Sequence, residues 1–355
     1  MTSAADVSFL SSTPLRMAGW WFAISLLLAG CSVSEPSRQV TFSGIAFFSI
    51  SWQVRVSDLP TEVNAQQLQS ELQQALDDVN KVLSTYQPDT ELMRFNAGPI
   101  NECLSVSETL GDAVAKALLL SAKTTGRYDI MVGPLVNLWG FGPQAKPEIT
   151  PTVSDINRAK QQIGWQSLNV DLANSCITKQ KPVQLDASSL GEGVGVRVLG
   201  AVLAKHGINQ YLISVAGVSQ ARGKRRDGQF WRVAIESADG SGKPALAIAL
   251  DNAVISTSGS YRNYYELDGV RYSHTINPLT GFPITHKGVS VTVVSNQLDA
   301  VLVDAWATAL NVLGPQEGLE LAQQEGLAAY FIEKTADGFM SRHTTEFAQF
   351  LPTEQ

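Results

Sequence analysis

The chain has 355 residues, 44% of them hydrophobic and 17% charged, which is enough apolar material to bury one large core or two smaller ones. Its formal net charge of −7 argues against binding the phosphate backbone, which needs a clustered Lys/Arg surface, so nucleic acid is not an expected partner. With four histidines and three cysteines there is no zinc-type spacing, and neither a Walker P-loop nor a G-x-S-x-G elbow is present.

In chain order, Arg16 precedes an apolar run over residues 17–29 that is short for a membrane span and reads as a signal sequence. Leu28-Ala29-Gly30-Cys31 resembles the bacterial lipobox, in which the cysteine is acylated and becomes the mature N-terminus. Residues 1–30 are therefore expected to be a lipoprotein signal peptide, residues 31–39 the lipidated Cys31 and a tether, and residues 40–355 the working domain. This predicts a palmitate-bearing protein held by its lipid anchor at the periplasmic side of the inner membrane. Ser32, in place of a retaining aspartate, leaves the outer membrane open. For Cys103 and Cys176 a disulfide and two inert thiols stay equally open.

Residues 39–56 are strand-like, rich in aromatic and β-branched side chains. Leu68, Leu72, Leu76, Val79 and Leu83 recur at steps of three and four and predict a helix. A second helix is expected over 112–123, ended by Gly126, then an ordered loop between 133 and 151 where Gly and Pro are dense, then a helix over 155–163. Residues 190–204 have helical period but carry four glycines, a costly choice unless another backbone or a ligand approaches closely. Strands at 210–215, 231–236, 245–250 and 289–295 precede helices over 301–313 and 316–325 and a strand at 328–332. Runs of strands with little βα alternation predict an α+β fold, a largely antiparallel sheet core with flanking helices.

Chemistry therefore falls to carboxylates and hydroxyls, the hard oxygen ligands that suit Mg²⁺. Asp304 and Thr308 lie four apart on a predicted helix and share a face, a spacing that a surface or capping pair also produces. Residues 255–265 combine hydroxyls, a glycine, an arginine and aromatics, which suit phosphate oxygens and a planar ring, or equally a polar β-turn. His274 stands in a turn-rich loop of the kind that carries function.

These residues together resemble a known family. Thr85-Tyr86, Glu91 to Asn96, Asp129 with the Val132 to Gly142 run, Asp186 with Gly191-Glu192-Gly193, the 256–265 stretch, Ser273-His274, Pro278 with Thr280-Gly281, and Asp304/Thr308 are similar to the FAD:protein FMN transferases, also called thiamine biosynthesis lipoproteins. The resemblance covers roughly residues 40–350, in order. It implies a flavin transferase, T-fold-like in architecture, that takes FAD as substrate with Mg²⁺. Such an enzyme moves FMN onto a threonine hydroxyl of flavin-acceptor subunits in membrane redox complexes and releases AMP. Carried over by position, Tyr86, Arg127, Tyr128, Asp129, Asp186, Glu192 and Ile276 would contact FAD. Ser189, through its carbonyl, would join Asp304 and Thr308 around the metal, and His274 would take the proton of the acceptor hydroxyl.

Some positions depart from the family pattern: Phe47-Phe48-Ser49 replaces Met-Gly-Thr, Val194 and Arg197 replace Tyr and Asp, and Ala216-Gly217 replaces Gly-Gly. Asn277 and Ala307 stand where aspartates are usual. Fewer carboxylates weaken a divalent-cation site, while Arg197 offers charge to a pyrophosphate directly. Two alternatives follow: an FAD pyrophosphatase giving FMN and AMP, and a catalytically impaired flavin-binding scaffold lipoprotein.

Overall fold

Strands β1 (Arg38–Ala46) and β2 (Ile50–Leu59) open the fold as a hairpin, followed by helices α1 (Ala65–Leu83) and α2 (Glu91–Ala97) and strand β3 (Cys103–Ser105). Helices α3 (Glu108–Lys123), α4 (Gly133–Leu138) and α5 (Val153–Lys160) lead to strands β4 (Leu168–Asp171) and β5 (Cys176–Lys179). Helix α6 (Gly191–Lys205) precedes β6 (Tyr211–Val215), β7 (Val218–Arg222), β8 (Trp231–Glu236), β9 (Pro244–Leu250) and β10 (Val254–Gly259). The hairpin β11 (Tyr264–Leu267) and β12 (Val270–Ser273), strand β13 (Gly288–Ser295), helix α7 (Ala300–Gln324), and strands β14 (Ala328–Thr335) and β15 (Gly338–His343) complete it. This computed structural model describes residues 38–351 apart from 144–145, 238, 240 and 261–262. The expected signal peptide and the acylated Cys31 lie outside the described residues.

Eight strands form one antiparallel sheet in the order β1-β2-β6-β7-β10-β13-β14-β15. Helices α1, α6 and α7 pack together on one face and enclose the main core. The α1 residues predicted from their spacing, Leu68, Leu72, Leu76, Val79 and Leu83, are all buried there, and Asn64 caps the helix by accepting the N–H groups of Gln66 and Gln67. A second apolar cluster on Trp231, Ile248, Tyr330 and Phe347 covers the other face. The antiparallel α+β architecture expected from the strand runs is the one observed.

Three local differences from the sequence reading have physical causes. The strand-like stretch 39–56 is broken by a tight turn at Phe47-Phe48-Ser49, where both phenylalanines hold positive φ (47° and 72°). The Gly/Pro-rich region starts with a short helix, α4, because Pro134 at its first turn needs no backbone donor. The two expected C-terminal helices are joined as α7, broken at Gly314 (φ 79°). There Pro315 cannot donate to the Asn311 carbonyl, and His286 Nε2–H donates to that oxygen instead at 2.8 Å.

Cys103 and Cys176 form a disulfide that ties β3 to β5. On the same strand, the buried Lys179 ammonium donates to the carbonyls of Phe95 and Asn96, both at 2.8 Å, and so closes the C-terminus of α2.

Candidate active site

Two helix starts meet at the centre of the site. The glycines of α6 find their reason here: a Cβ on Gly193 would lie 2.4 Å from the carbonyl oxygen of Ala300, so only glycine lets α6 and α7 approach this closely. The approach brings the Gly193 N–H to 2.8 Å from Asp304 Oδ2. From the sheet, Ser256 Oγ on β10 donates to Asp304 Oδ1 at 3.2 Å. Next to Gly193, Glu192 Oε2 accepts the N–H of Gly217, at the β6–β7 turn, at 2.9 Å.

Asp304 and Glu192 are thus two neighbouring carboxylates whose hydrogen bonds come from neutral donors. Burial pushes the Asp304 carboxyl well up from the usual carboxylate range, and the charge of Glu192 pushes it further. Burial raises Glu192 to about 7, partly offset by the Gly217 N–H. Thr308, one turn along α7 from Asp304, is half-buried on the same face. Ala307 is fully buried in the core beside them, and Val194 likewise. Two carboxylates held by neutral donors, with a hydroxyl one turn away, form a donor set that fits a hard divalent cation.

The segment before α6 is brought in by side-chain clamps. Asn96 accepts the Leu185 N–H at 2.8 Å and donates to the Leu185 carbonyl at 3.1 Å, fixing the residue next to Asp186. Asp186 is buried and receives the N–H and hydroxyl of Ser188. Ser189 shares a 2.8 Å hydrogen bond with the hydroxyl of buried Tyr128, whose pKa is raised by burial and by the charges of Asp304, Asp129 and Asp186. These residues therefore share one neighbourhood.

Two neighbours in sequence point elsewhere. Asp129 spends its carboxylate on the N–H groups of Met131 (2.9 Å) and Trp165 (3.0 Å), and the Arg127 guanidinium pairs with Glu317 at 2.8 Å. Arg197, offered by sequence as a pyrophosphate partner, is instead ion-paired with Asp112 on α3, because its place on α6 turns it toward that helix. Asn277 does not border the carboxylates: its Oδ1 receives the N–H groups of Leu279 (2.9 Å) and Thr280 (3.3 Å) in an Asx-type turn, a task that an aspartate would do equally well.

An aromatic wall continues from this centre to His274. Tyr86, more than half exposed, donates its hydroxyl to the Phe141 carbonyl at 3.3 Å and meets Phe48 edge-on at 5.5 Å. Phe141 stacks near Tyr265 and lies 6.3 Å from the His274 ring. Phe47 turns inward and sits on Gly195 of α6. The His274 Nδ1–H donates to the Asn263 carbonyl at 3.0 Å, which leaves Nε2 as the nitrogen with the lone pair, and burial lowers the pKa of the ring. Ile276, buried, bridges Pro283. Behind this loop, Asn311 of α7 donates to Thr275 Oγ1 at 3.2 Å, so Asp304, Thr308 and Asn311 form a single line on α7 from the carboxylate pair to the histidine loop.

Sequence reasoning placed Asn96, Gly217 and Ser256 within motifs without giving any of them its own role, and did not single out Asn311. The signal for Asn311 was its position seven residues, two helical turns, beyond Asp304; the Asn96 clamp is a long-range contact that no local pattern reports.

A model of the ApbE family matches residues 48–331. The FAD:protein FMN transferase of Salmonella typhimurium (strain LT2) is 41% identical over 343 residues, covering 94% of this chain and 97% of that protein. The protein of the same name from Escherichia coli (strain K12) is 39% identical over 342 residues, with the same coverage of 94% and 97%. Among solved structures, the flavin transferase ApbE from Vibrio cholerae matches with a TM-score of 0.82 and 35% identity, over 89% of this chain and 100% of that one. The apo form of the Pseudomonas stutzeri flavinyl transferase ApbE gives 0.81 and 35% identity over 90% and 98%. The family resemblance drawn from the motifs is therefore confirmed: this chain belongs to the ApbE family, and the relatives it matches are named as flavin transferases.

Proposed function

We propose that this chain transfers FMN from FAD to a threonine hydroxyl of an acceptor protein, with Mg²⁺, releasing AMP. The observation that carries this reading is the pair of buried Asp304 and half-buried Glu192, held by neutral donors at the meeting of two helix starts. Such a pair is costly unless a cation joins it. Asp304, Thr308 and the Ser189 carbonyl would hold the Mg²⁺. When bound, that ion supplies charge neutralisation for a pyrophosphate.

The protein's own residues account for the remainder. The exposed Tyr86 and Phe48 rings offer faces and edges to a planar ring system. His274 Nε2, kept neutral by burial and held in tautomer by Asn263, accepts the threonine proton. The threonine oxygen then forms a bond to the FMN phosphorus while the bond from that phosphorus to the bridging oxygen breaks, and AMP leaves with that oxygen. Support for a protein acceptor comes from the curated relatives, which are named for transfer to protein.

Acceptors in membrane redox complexes, and acylation of Cys31 on the periplasmic side of the inner membrane, belong to the same proposal. The Cys103–Cys176 disulfide fits an oxidising compartment. Incubating the protein with FAD, Mg²⁺ and a flavin-acceptor subunit should give flavin fluorescence on the denatured acceptor and one AMP per flavin attached. AMP formed equally fast without acceptor would instead assign a pyrophosphatase.

A further inference from the structure

We infer that the end of the sheet opposite the Asp304 site is a contact surface for anionic phospholipid headgroups. Strand β7 begins at Val218, next to the Gly217 N–H that binds Glu192, and ends at Arg222, roughly 13 Å away at about 3.3 Å per residue. Beyond it the exposed run Lys224-Arg225-Arg226 forms a tight turn, in which Gly228 N–H donates to the Arg225 carbonyl at 2.9 Å. Arg222, Lys224, Arg225 and Arg226 gather four positive charges on a protein whose net charge is −7. Three acids, Asp58, Asp227 and Asp251, lie at the same end: Asp227 pairs with Arg225 at 2.8 Å and offsets it, and Asp251 accepts the side-chain N–H of Asn252 at 2.9 Å, so the four cations exceed the acids by one, with Lys224 and Arg226 exposed on the turn.

A second feature points to a ligand. Gln39, Ser57, Arg225, Arg226, Asp227 and Trp231 line a cleft of about 260 Å³. Trp231 is 4% exposed, and its Nε1–H is buried with no hydrogen-bond partner. The guanidinium groups of Arg225 and Arg226 on this cleft suit the oxygens of a phosphodiester.

The position of the chain's entry selects the occupant. Gln39 lines the cleft, and β1 starts at Arg38, seven residues after Cys31. Seven residues span at most about 25 Å. If Cys31 is acylated, as proposed above, covalent reach alone keeps this basic end within that distance of the bilayer.

The test uses the domain starting at Ser37, since Ser37–Gln355 is one compact unit containing the core and the solved Vibrio cholerae relative matches 89% of the chain. Without the lipid, binding reports the patch alone, and failure of acylation at Cys31 would appear separately as loss of palmitate labelling. Vesicles of phosphatidylcholine with phosphatidylglycerol should co-sediment the domain at low salt, and pure phosphatidylcholine vesicles should not. K224Q/R226Q should weaken partitioning by about thirtyfold, at roughly 1 kcal/mol per charge near the surface. Its FAD binding, as a check on folding, should stay unchanged. Equal binding to both vesicle types, or parental partitioning by K224Q/R226Q, would overturn the inference.

Discussion

Asp304 Oδ2 accepts the N–H of Gly193 at 2.8 Å, and this bond exists because Gly193 has no Cβ to strike the Ala300 carbonyl oxygen, which would lie 2.4 Å away. Packing of α6 on α7 and placement of the buried carboxylate are therefore one feature. It gives the Gly-Glu-Gly sequence a structural meaning: one residue supplies the acid, and the next supplies the room.

Gly193→Ala should accordingly separate the two helix starts. A loss of about 1–3 kcal/mol in unfolding free energy is expected from overpacking, together with weakened Mg²⁺ dependence of FAD turnover. Urea denaturation monitored by circular dichroism measures the first and AMP release against Mg²⁺ concentration the second. An alanine variant as stable and as metal-responsive as the parent would show that the helices yield without cost.

Glu192 makes metal-free stability depend on pH. Burial raises its folded pKa to about 7, above the ordinary carboxylate value of 4.5. The folded state thus holds a proton that the unfolded state has lost between pH 4.5 and 7, so this group makes stability fall as pH rises through that window and level off above it. Asp304, also raised, acts in the same direction. Melting temperatures in EDTA should show this decline, and Glu192→Gln should flatten it. A decline of the same size in the Gln variant would remove Glu192 as its source.

For His274 the expectation concerns rate more than binding. His274→Ala should lower FMN transfer by about 10²- to 10⁴-fold while leaving FAD affinity near that of the parent. In the parent, the low-pH limb of transfer should have its midpoint below the ordinary histidine value of 6.5, since burial lowers the ring's pKa. Transfer by the alanine variant at the parental rate would exclude this histidine as the base.

The disulfide closes a loop of 73 residues between strands β3 and β5. Loop-closure entropy assigns it about 4 kcal/mol. Cys103→Ser with Cys176→Ser should lose stability of that order in guanidinium denaturation. Unchanged stability would mean that the local sheet already restricts the unfolded chain.

The sequence carried the fold class and the shared face of Asp304 and Thr308 because both rest on local patterns. The spacing of Leu68, Leu72 and Leu76 reports a buried helix face, and the i,i+4 spacing of Asp304 and Thr308 puts them on one side of α7. What it did not carry were contacts between distant segments. The pairing of Arg197 with Asp112 joins residues 85 apart and withdraws a charge that sequence alone left free for a phosphate. Asn277 lies near the family motif, yet its side chain serves a turn rather than a cation. The clamp of Asn96 on Leu185, 89 residues away, has no local signature either.

The most direct test of the central claim pairs the parent with Asp304→Asn in the presence of FAD, Mg²⁺ and a flavin-acceptor subunit, reading in-gel flavin fluorescence on the acceptor and AMP in solution. The parent should attach flavin with one AMP released per flavin. The Asn variant should fold, show a smaller fall in melting temperature with rising pH in EDTA because a carboxyl with a raised pKa is gone, and transfer at least about a hundredfold more slowly, as the proposed metal-holding role of Asp304 requires. A parent that binds FAD but leaves the acceptor unlabelled, or an Asn variant that labels it as fast as the parent, would contradict the assignment.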